Sequence, residues 1–268
     1  MKKFIWNIYL IFLKEIDSTN QYAKKNISMF PNWTIVYAIN QTHGKGVGNT
    51  YWYVEKGKNL TFSIILKSIN LSIEKGYLIN LLVSNAIHKT LINNTLYKIK
   101  NPKNYSPSII PSSYIWIKWP NDIILINEKI GGILIENTIF YKKIHTSIIG
   151  IGLNVNQIQF DKKLKASSLK KIFHRDFNLK KLFYDIIYSI QKEYSLLTNS
   201  PYGEKIIRNY YINHLYRKNK ISFFYVKKTI IHGIIQNITK QGHLIIVIIE
   251  NNKCKKLSFF SQKEIQLF

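Results

Sequence analysis

The sequence predicts an α+β protein with a largely antiparallel main sheet, followed by a small C-terminal β-barrel. Two observations carry this. Four β-rich runs (Tyr114 to Trp119, Ile123 to Asn127, Ile133 to Asn137 and Thr146 to Leu153) follow one another with no helical segment between them. Such a run makes neighbouring strands antiparallel rather than βαβ units. From Lys220 onward the texture changes to short strands, Ile221 to Val226, Ile230 to Ile235, Leu244 to Ile249 and Leu257 to Phe260, with Gly233 and Gly242 at turns or bulges. The boundary falls near residue 217, which divides the chain into segments 1–216 and 217–268.

The remaining elements follow in order. Phe4 to Leu13 is apolar after Lys2-Lys3 and has the outline of a short signal peptide. Asn7 interrupts it, no small-x-small site follows, and Lys14, Glu15 and Asp17 come at once, so it reads as a first strand. Asp17-Ser18-Thr19-Asn20 supplies helix-capping residues ahead of a helix over Gln21 to Asn26. Thr34 to Asn40 is a short β-branched strand. Leu60, Phe62, Ile64 and Leu66 alternate as in a half-buried strand. Tyr77, Leu81, Leu82 and Ser84 to Leu91 predict an amphipathic helix. The Pro-, Ser- and Asn-rich stretch 98–113 predicts a long loop. Residues 179–197 have helical apolar spacing with Asn178 as N-cap, and Gly203 to Leu215 is a second helix.

At 46% hydrophobic, the 268 residues can bury a sizeable core. The net charge of +25 points first to an anionic partner. Yet the basic residues are nearly all lysine, with arginine only at 175, 208 and 217, and they spread along the chain without forming a block. Together with the heavy use of Ile, Asn and Tyr, this reads as codon bias rather than a nucleic-acid face. Cys254 is the only cysteine, which fits a reducing cytoplasm. The seven histidines form no metal-ligand spacing. No run of 18 apolar residues predicts a membrane span.

Three constellations carry chemistry. Gly44-Lys45-Gly46-Val47-Gly48, after Gln41, sets glycines at alternate positions around a lysine, a loop able to wrap a phosphate or carboxylate. It equally fits a plain hairpin loop. Lys118-Trp119-Pro120-Asn121-Asp122 ends one strand in turn residues, and Lys129-Ile130-Gly131-Gly132-Ile133-Leu134 opens the next. Two lysines flanking that hairpin can converge on one anion, or stand as surface residues. Gly150-Ile151-Gly152-Leu153-Asn154 places two glycines within a strand, where close approach to the backbone is needed, or marks a strand end.

The order and wording of these motifs, from Asp17-Ser18-Thr19-Asn20 through Gln41–Trp52, Asn59-Leu60, KWPND, KxxGIL and Gly150–Asn156, and weakly through Ala166-Ser167-Ser168-Leu169, resemble the biotin–protein ligases. The resemblance spans nearly the whole chain. It implies the class II synthetase-like biotin/lipoate ligase fold, a mixed sheet backed by helices, with an SH3-like C-terminal barrel. It also implies that biotin and ATP, with Mg²⁺, give biotinyl-adenylate, and that biotin passes to a lysine of a biotin carboxyl carrier domain of acetyl-CoA carboxylase or a related carboxylase. With the first motif at residue 17, it implies no operator-binding domain and no specific DNA partner. The family includes monomers and dimers, so a homodimer stays open.

By that resemblance, Ser18, Thr19 and Gln41 hydrogen-bond the ureido ring of biotin, and Asn20 shapes the same turn. Gly131, Gly132 and Ile133 bring backbone against the biotin ring, and Gly150 and Gly152 line its pocket. The Gly44–Val47 loop wraps the ligand. Trp52 packs near the adenylate, and Asn154 contacts adenine. Lys129 is the central catalytic lysine, helped by Lys45 and Lys118. Lys118, Asn121 and Asp122 support ATP, with Asp122 reaching Mg²⁺ indirectly. The family's usual loop is Gly-Arg-Gly-Arg or Gly-Arg-Gly-Gln. Lys45 keeps the charge but loses the bidentate fork, and Val47 has neither, so a working but leaky ligase is expected. The rivals are a lipoate or octanoate–protein ligase or transferase of the same fold, and a non-catalytic basic nucleic-acid-binding protein.

Overall fold

A computed structural model describes residues 3–48, 50–96, 114–161, 163–250, 253–262 and 264–267. The predicted loop over 98–113 lies outside the described residues.

Seven strands form the main sheet in the order β1-β2-β3-β7-β6-β5-β4. These are β1 (Tyr9–Ile16), β2 (Thr34–Gln41), β3 (Leu60–Ser72), β4 (Ile115–Lys118), β5 (Asp122–Leu125), β6 (Glu128–Phe140) and β7 (Lys143–Leu153). The run from β4 to β7 is antiparallel throughout, as its spacing predicts, and β3 joins it antiparallel to β7. Only β1 and β2 pair in parallel, because helix α1 (Thr19–Lys25) crosses between them. The sheet is therefore mixed.

Two expectations need correction. Strand β3 is not half-buried: every residue from Leu60 to Leu66 is buried. Leu60, Phe62, Ile64 and Leu66 face the main core. On the other face Ile65 packs with Ala23 of α1, Val36 and Ile148. Nor is helix α2 (Tyr77–Leu96) amphipathic, since every residue from Leu78 to His88 is buried. It lies against the β4–β6 part of the sheet on one side and helices α4 (Leu179–Asn199) and α5 (Gly203–Asn213) on the others. A helix wrapped on all sides has no solvent face to make polar. Two of its buried amides are matched instead, Asn80 Nδ2 to the Pro120 carbonyl and Asn85 Nδ2 to that of Ile207. The α4 N-cap is as predicted: the Asn178 side chain accepts from the Lys181 amide at 2.8 Å. A short helix α3 (Leu169–Phe173), capped by Ser168, is not apparent from apolar spacing.

The C-terminal strands β8 (Ile221–Val226), β9 (Thr229–Ile238), β10 (Leu244–Glu250), β11 (Lys253–Phe260) and β12 (Ile265–Leu267) form a second antiparallel sheet, ordered β11-β10-β9-β8-β12. Gly242 has φ +90° in the β9–β10 turn. Gly233 instead lies inside β9, where a Cβ would strike Ile246. The inner face of this sheet, with Phe224, Ile235, Leu244, Ile246 and Ile265, is continuous with the main core. Among the described residues no helix is long and apolar enough to cross a membrane.

Candidate active site

A cavity of about 730 Å³ opens on the α1 face of the main sheet and reaches the second sheet. Strand register explains its floor. Gly152, Gly132, Asp122 and Lys118, which line it, stand opposite one another across β7, β6, β5 and β4, with Thr61 of β3 continuing the row beyond the cavity. Residues directly opposite share a face. The next row, two residues along, holds Ser63, Gly150 and Leu134.

Lys129 needs a special device to join them. Three residues before Gly132, it would face the opposite side of a regular strand. The pairing of β5 with β6 shifts register between Ile123 and Ile124, so Gly131 pairs with Ile123 and Lys129 with Ile124. The extra residue, Ile130, makes a β-bulge that returns Lys129 to the cavity face. Lys129 Nζ then pairs with Asp122 Oδ1 at 2.7 Å and lies 5.7 Å from the Trp52 ring centroid. The bulged backbone is held from outside by residues 165–167, with Lys129 N donating to the Lys165 carbonyl and Ser167 N to that of Lys129.

One end of the cavity is neutral and buried. Thr19 donates to Gln41 Oε1 from both its backbone N (2.8 Å) and its hydroxyl (3.0 Å). The Ser63 hydroxyl lies 2.7 Å from that of Thr19 and 2.6 Å from Asn20 Oδ1. Asn20 Nδ2 donates to Glu136 at 3.0 Å. The Ser18 backbone occupies the α1 N-cap, but its hydroxyl makes no cap bond. That hydroxyl and the Gln41 NH₂ are left facing the cavity. Ser63 is the residue sequence reasoning missed; hydroxyls at Thr61 and Ser63, alternating with buried apolar residues, were the available signal.

Gly132, Gly150 and Gly152 line the cavity, and two of them are also needed by side chains that lie on the sheet. A Cβ on Gly150 would collide with the Asn20 side chain, and one on Gly152 with the Trp52 indole (Nε1 at 2.6 Å). They make room for protein side chains laid on the sheet. The Trp52 indole nitrogen is buried without a partner among the described residues. Gly44 and Gly46 serve a hairpin, where Gly46 N donates to Thr50 O and Trp52 N to Gly44 O. A Cβ at either would strike the opposite arm. With its amide oriented to satisfy both neighbours, Gln21 accepts from the ammonium of Lys45, on that hairpin, and donates to Asp17 Oδ2 at 2.9 Å.

The other end is cationic. Lys118, Lys129, Lys227 and Lys228 line the cavity with the carboxylates Asp122 and Glu264, and Lys45 lines it from the hairpin. Burial holds the Lys118 ammonium below the usual lysine range; Asp122 opposes this, and Lys129 and Lys165 add to it. The Trp119-Pro120 turn is braced from below. The Pro120 carbonyl accepts from Asn80 (2.6 Å), Tyr211 (2.9 Å) and Tyr77 (3.3 Å). Trp119 Nε1 donates to Gly242 O at 2.9 Å, tying the turn to the second sheet. Asn121 is occupied by Ile133, whose carbonyl accepts its side chain at 2.6 Å.

The cavity thus gathers Ser18, Thr19, Asn20, Gln41, Lys45, Gly46, Val47, Trp52, Lys118, Asn121, Asp122, Lys129, Gly132, Ile133, Gly150 and Gly152. It does not include Gly44, Gly131 or Asn154. Gly131 packs on Leu153 and Ile123 on the core side. Asn154 is buried and donates to the Ser167 carbonyl at 3.0 Å. Among the described residues no cluster of three or more His, Cys, Asp or Glu side chains could hold a metal ion.

Residues 12–154 match the model of the Biotin/lipoate A/B protein ligase family. The bifunctional ligase/repressor BirA of Bacillus spizizenii is 28% identical over 158 residues, which are 59% of this chain and 43% of that protein. Biotin–protein ligase 1, chloroplastic, of Arabidopsis thaliana is 27% identical over 151 residues, 56% of this chain and 37% of that protein. The matches thus span less than half the length of these curated relatives. Among solved structures, the biotin protein ligase of Aquifex aeolicus in complex with biotin and ATP superposes with TM-score 0.70 at 22% identity, covering 97% of this chain and 95% of that one. The Leishmania major biotin protein ligase with biotinyl-5-AMP gives 0.62 at 19% identity, covering 94% and 98%. At such identities these superpositions establish the fold.

Proposed function

From the premise that the chain belongs to the Biotin/lipoate A/B protein ligase family, we propose that it joins biotin to a lysine of an acceptor protein through a biotinyl-adenylate made from ATP. The observation that carries this reading is one cavity with a neutral, buried hydrogen-bonding end and a lysine-rich end, joined by a glycine floor.

The neutral end suits a ureido ring, which offers one carbonyl oxygen and two N–H groups. The Ser18 hydroxyl and Gln41 NH₂ are available donors to the carbonyl, and the Thr19 and Asn20 oxygens are acceptors held in place by Ser63. A dithiolane or plain alkyl chain would leave the Ser18 hydroxyl and the Gln41 NH₂ unmatched, which costs about 1–3 kcal/mol each where water is excluded. The biotin valeryl chain then runs along the Trp52 indole, which lies on Gly152 and reaches Gly132, toward Lys129.

At Lys129 a biotin carboxylate oxygen attacks the α-phosphorus of ATP. The bond from that phosphorus to the bridging oxygen breaks, and its electron pair leaves with pyrophosphate. Two anions must approach, so fixed cations at Lys129, Lys118 and Lys45 lower the barrier; one such preorganised group contributes roughly 10²–10³ in rate. In the second step the uncharged acceptor amine attacks the acyl carbon, the carbon–oxygen bond to AMP breaks, and the nitrogen loses a proton. Asp122, which gives one oxygen to Lys129, is the residue that would help hold Mg²⁺ brought in with the nucleotide. The ion would assist departure of pyrophosphate. In this reading residues 1–216 hold both substrates and 217–268 close the phosphate side, with a biotin carboxyl carrier domain as the acceptor.

The test is transfer of labelled biotin to a purified biotin carboxyl carrier domain, with ATP and Mg²⁺ and with ATP omitted. ATP-dependent labelling of one lysine is expected. A folded enzyme that labels nothing on a competent acceptor would contradict the reading.

A further inference from the structure

The C-terminal sheet is apolar on both faces. Alternation along β8 turns Phe224 inward and Ile221, Phe223 and Tyr225 outward. The register carries the outward set across the sheet. Ile221 stands opposite Ile234, Ile234 opposite Val247, and Val247 opposite Leu257. Phe223 stands opposite His232, and Ile245 opposite Phe259. Ile221, Phe223, Leu257 and Phe259 are each half or more exposed. An antiparallel sheet with one solvent face ordinarily sets polar residues there. A contiguous apolar face of this kind marks an interaction surface.

Its position links it to the cavity. Tyr225 belongs to the outward set and also lines the cavity, and so does the β8–β9 turn that follows it at Lys227-Lys228. The face therefore starts at the cavity mouth. Another exposed apolar group, Ile139-Phe140-Tyr141 at the β6–β7 turn, lacks this continuity. Phe140 is eight residues along β6 from Gly132, roughly 26 Å away at about 3.3 Å per residue.

Resting on the ligase reading, we infer that the outer face of the C-terminal sheet is the dock on which the acceptor protein sits while its lysine enters the cavity. Charge selects the occupant. Lys220, Lys227, Lys228 and Lys256 are exposed on the strands and turns of this sheet, in a chain of net charge +25. A second copy would bring like charge to the face, whereas an acidic domain with an apolar patch beside its target lysine matches both the rim and the centre.

The experiment compares the wild type with Phe223→Thr/Phe259→Thr and, separately, Leu257→Thr; threonine keeps the β preference of exposed positions. Two rates are measured: biotin-dependent exchange of labelled pyrophosphate into ATP, and steady-state transfer to a purified biotin carboxyl carrier domain. Exchange within twofold of wild type and an acceptor KM raised tenfold or more are expected, the KM also rising with salt. Hydrogen exchange of the wild type should show β8 and β11 amides protected on adding acceptor, a readout that needs no variant. Unchanged acceptor KM with no such protection would overturn the dock. So would concentration-dependent self-association lost in the variants, which would assign the face to a second copy. Absence of exchange in the wild type would overturn the ligase reading, and the dock with it.

Discussion

At the neutral end of the cavity, Thr19, Asn20, Gln41 and Ser63 satisfy one another before any ligand arrives, and Thr19, Asn20 and Ser63 are almost fully buried. At the other end, lysines outnumber carboxylates, and one of them, Lys118, is held partly against its charge by burial. The first end is a finished network with two donors to spare. The second is a set of cations whose mutual repulsion an anion would relieve. The contrast teaches that one site can be preorganised in two ways: by matched hydrogen bonds where the ligand is neutral, and by unmatched charge where the ligand is a polyanion.

The contrast can be broken most strongly at Lys129. Lys129→Ala is expected to slow adenylate formation by roughly 10²–10³ while biotin affinity, by calorimetry, stays within a few-fold. An equal loss of biotin affinity would erase the distinction between the ends.

Beneath the cationic end, His88 supports strand β4. Its Nε2 lies 2.8 Å from the Ile115 carbonyl and its Nδ1 2.9 Å from the Tyr210 hydroxyl. The neutral ring donates from Nε2 and accepts at Nδ1. Burial, with His214 and Lys89 nearby, depresses its pKa to about 4. Because the folded value lies below the unfolded one of about 6.5, its contribution is fully present above pH 6.5 and is lost as pH falls toward 4. That loss is about 3 kcal/mol by pH 4. Urea midpoints from pH 7 to 4 should follow it, β4 amides should exchange before those of β7, and His88→Asn should flatten the slope. An unchanged slope in that variant would remove His88 from the account.

A smaller effect is expected at the neutral end. Ser63→Ala leaves Thr19 and Asn20 short of one partner, which costs about 1–3 kcal/mol. It should weaken biotin roughly tenfold and leave the KM for ATP unchanged. The smallest effect concerns the brace under the KWPND turn. Tyr211→Phe removes one of three donors to the Pro120 carbonyl, worth about 1 kcal/mol, and should raise the KM for ATP about fivefold with biotin affinity intact. Loss of biotin affinity instead would mean that the brace serves both ends.

Local chemistry was legible in the sequence. Asp17-Ser18-Thr19-Asn20 opens a helix, Lys118 to Asp122 ends a strand in a turn, and the four-strand run is antiparallel. What sequence spacing could not reveal depends on partners distant in the chain. Lys129 reaches the cavity through a bulge that shows only in the β5–β6 register. Ser63 matters because α1 lies over β3. Helix α2 loses its polar face because α4 and α5 cover it. Gly150 and Gly152 read as sites of close approach, and they are, but the approaching groups are Asn20 and Trp52. The contribution of Lys227, Lys228 and Tyr225 to the cavity follows from the fold of the second sheet back over the first.

The most direct test of the central claim is exchange of labelled pyrophosphate into ATP, measured with biotin, with lipoate, with octanoate and with no acid added. Exchange should depend on biotin and stay at background with the other two. Exchange driven equally by lipoate or octanoate would contradict a neutral end built for a ureido ring, and exchange with none of them would contradict the ligase itself.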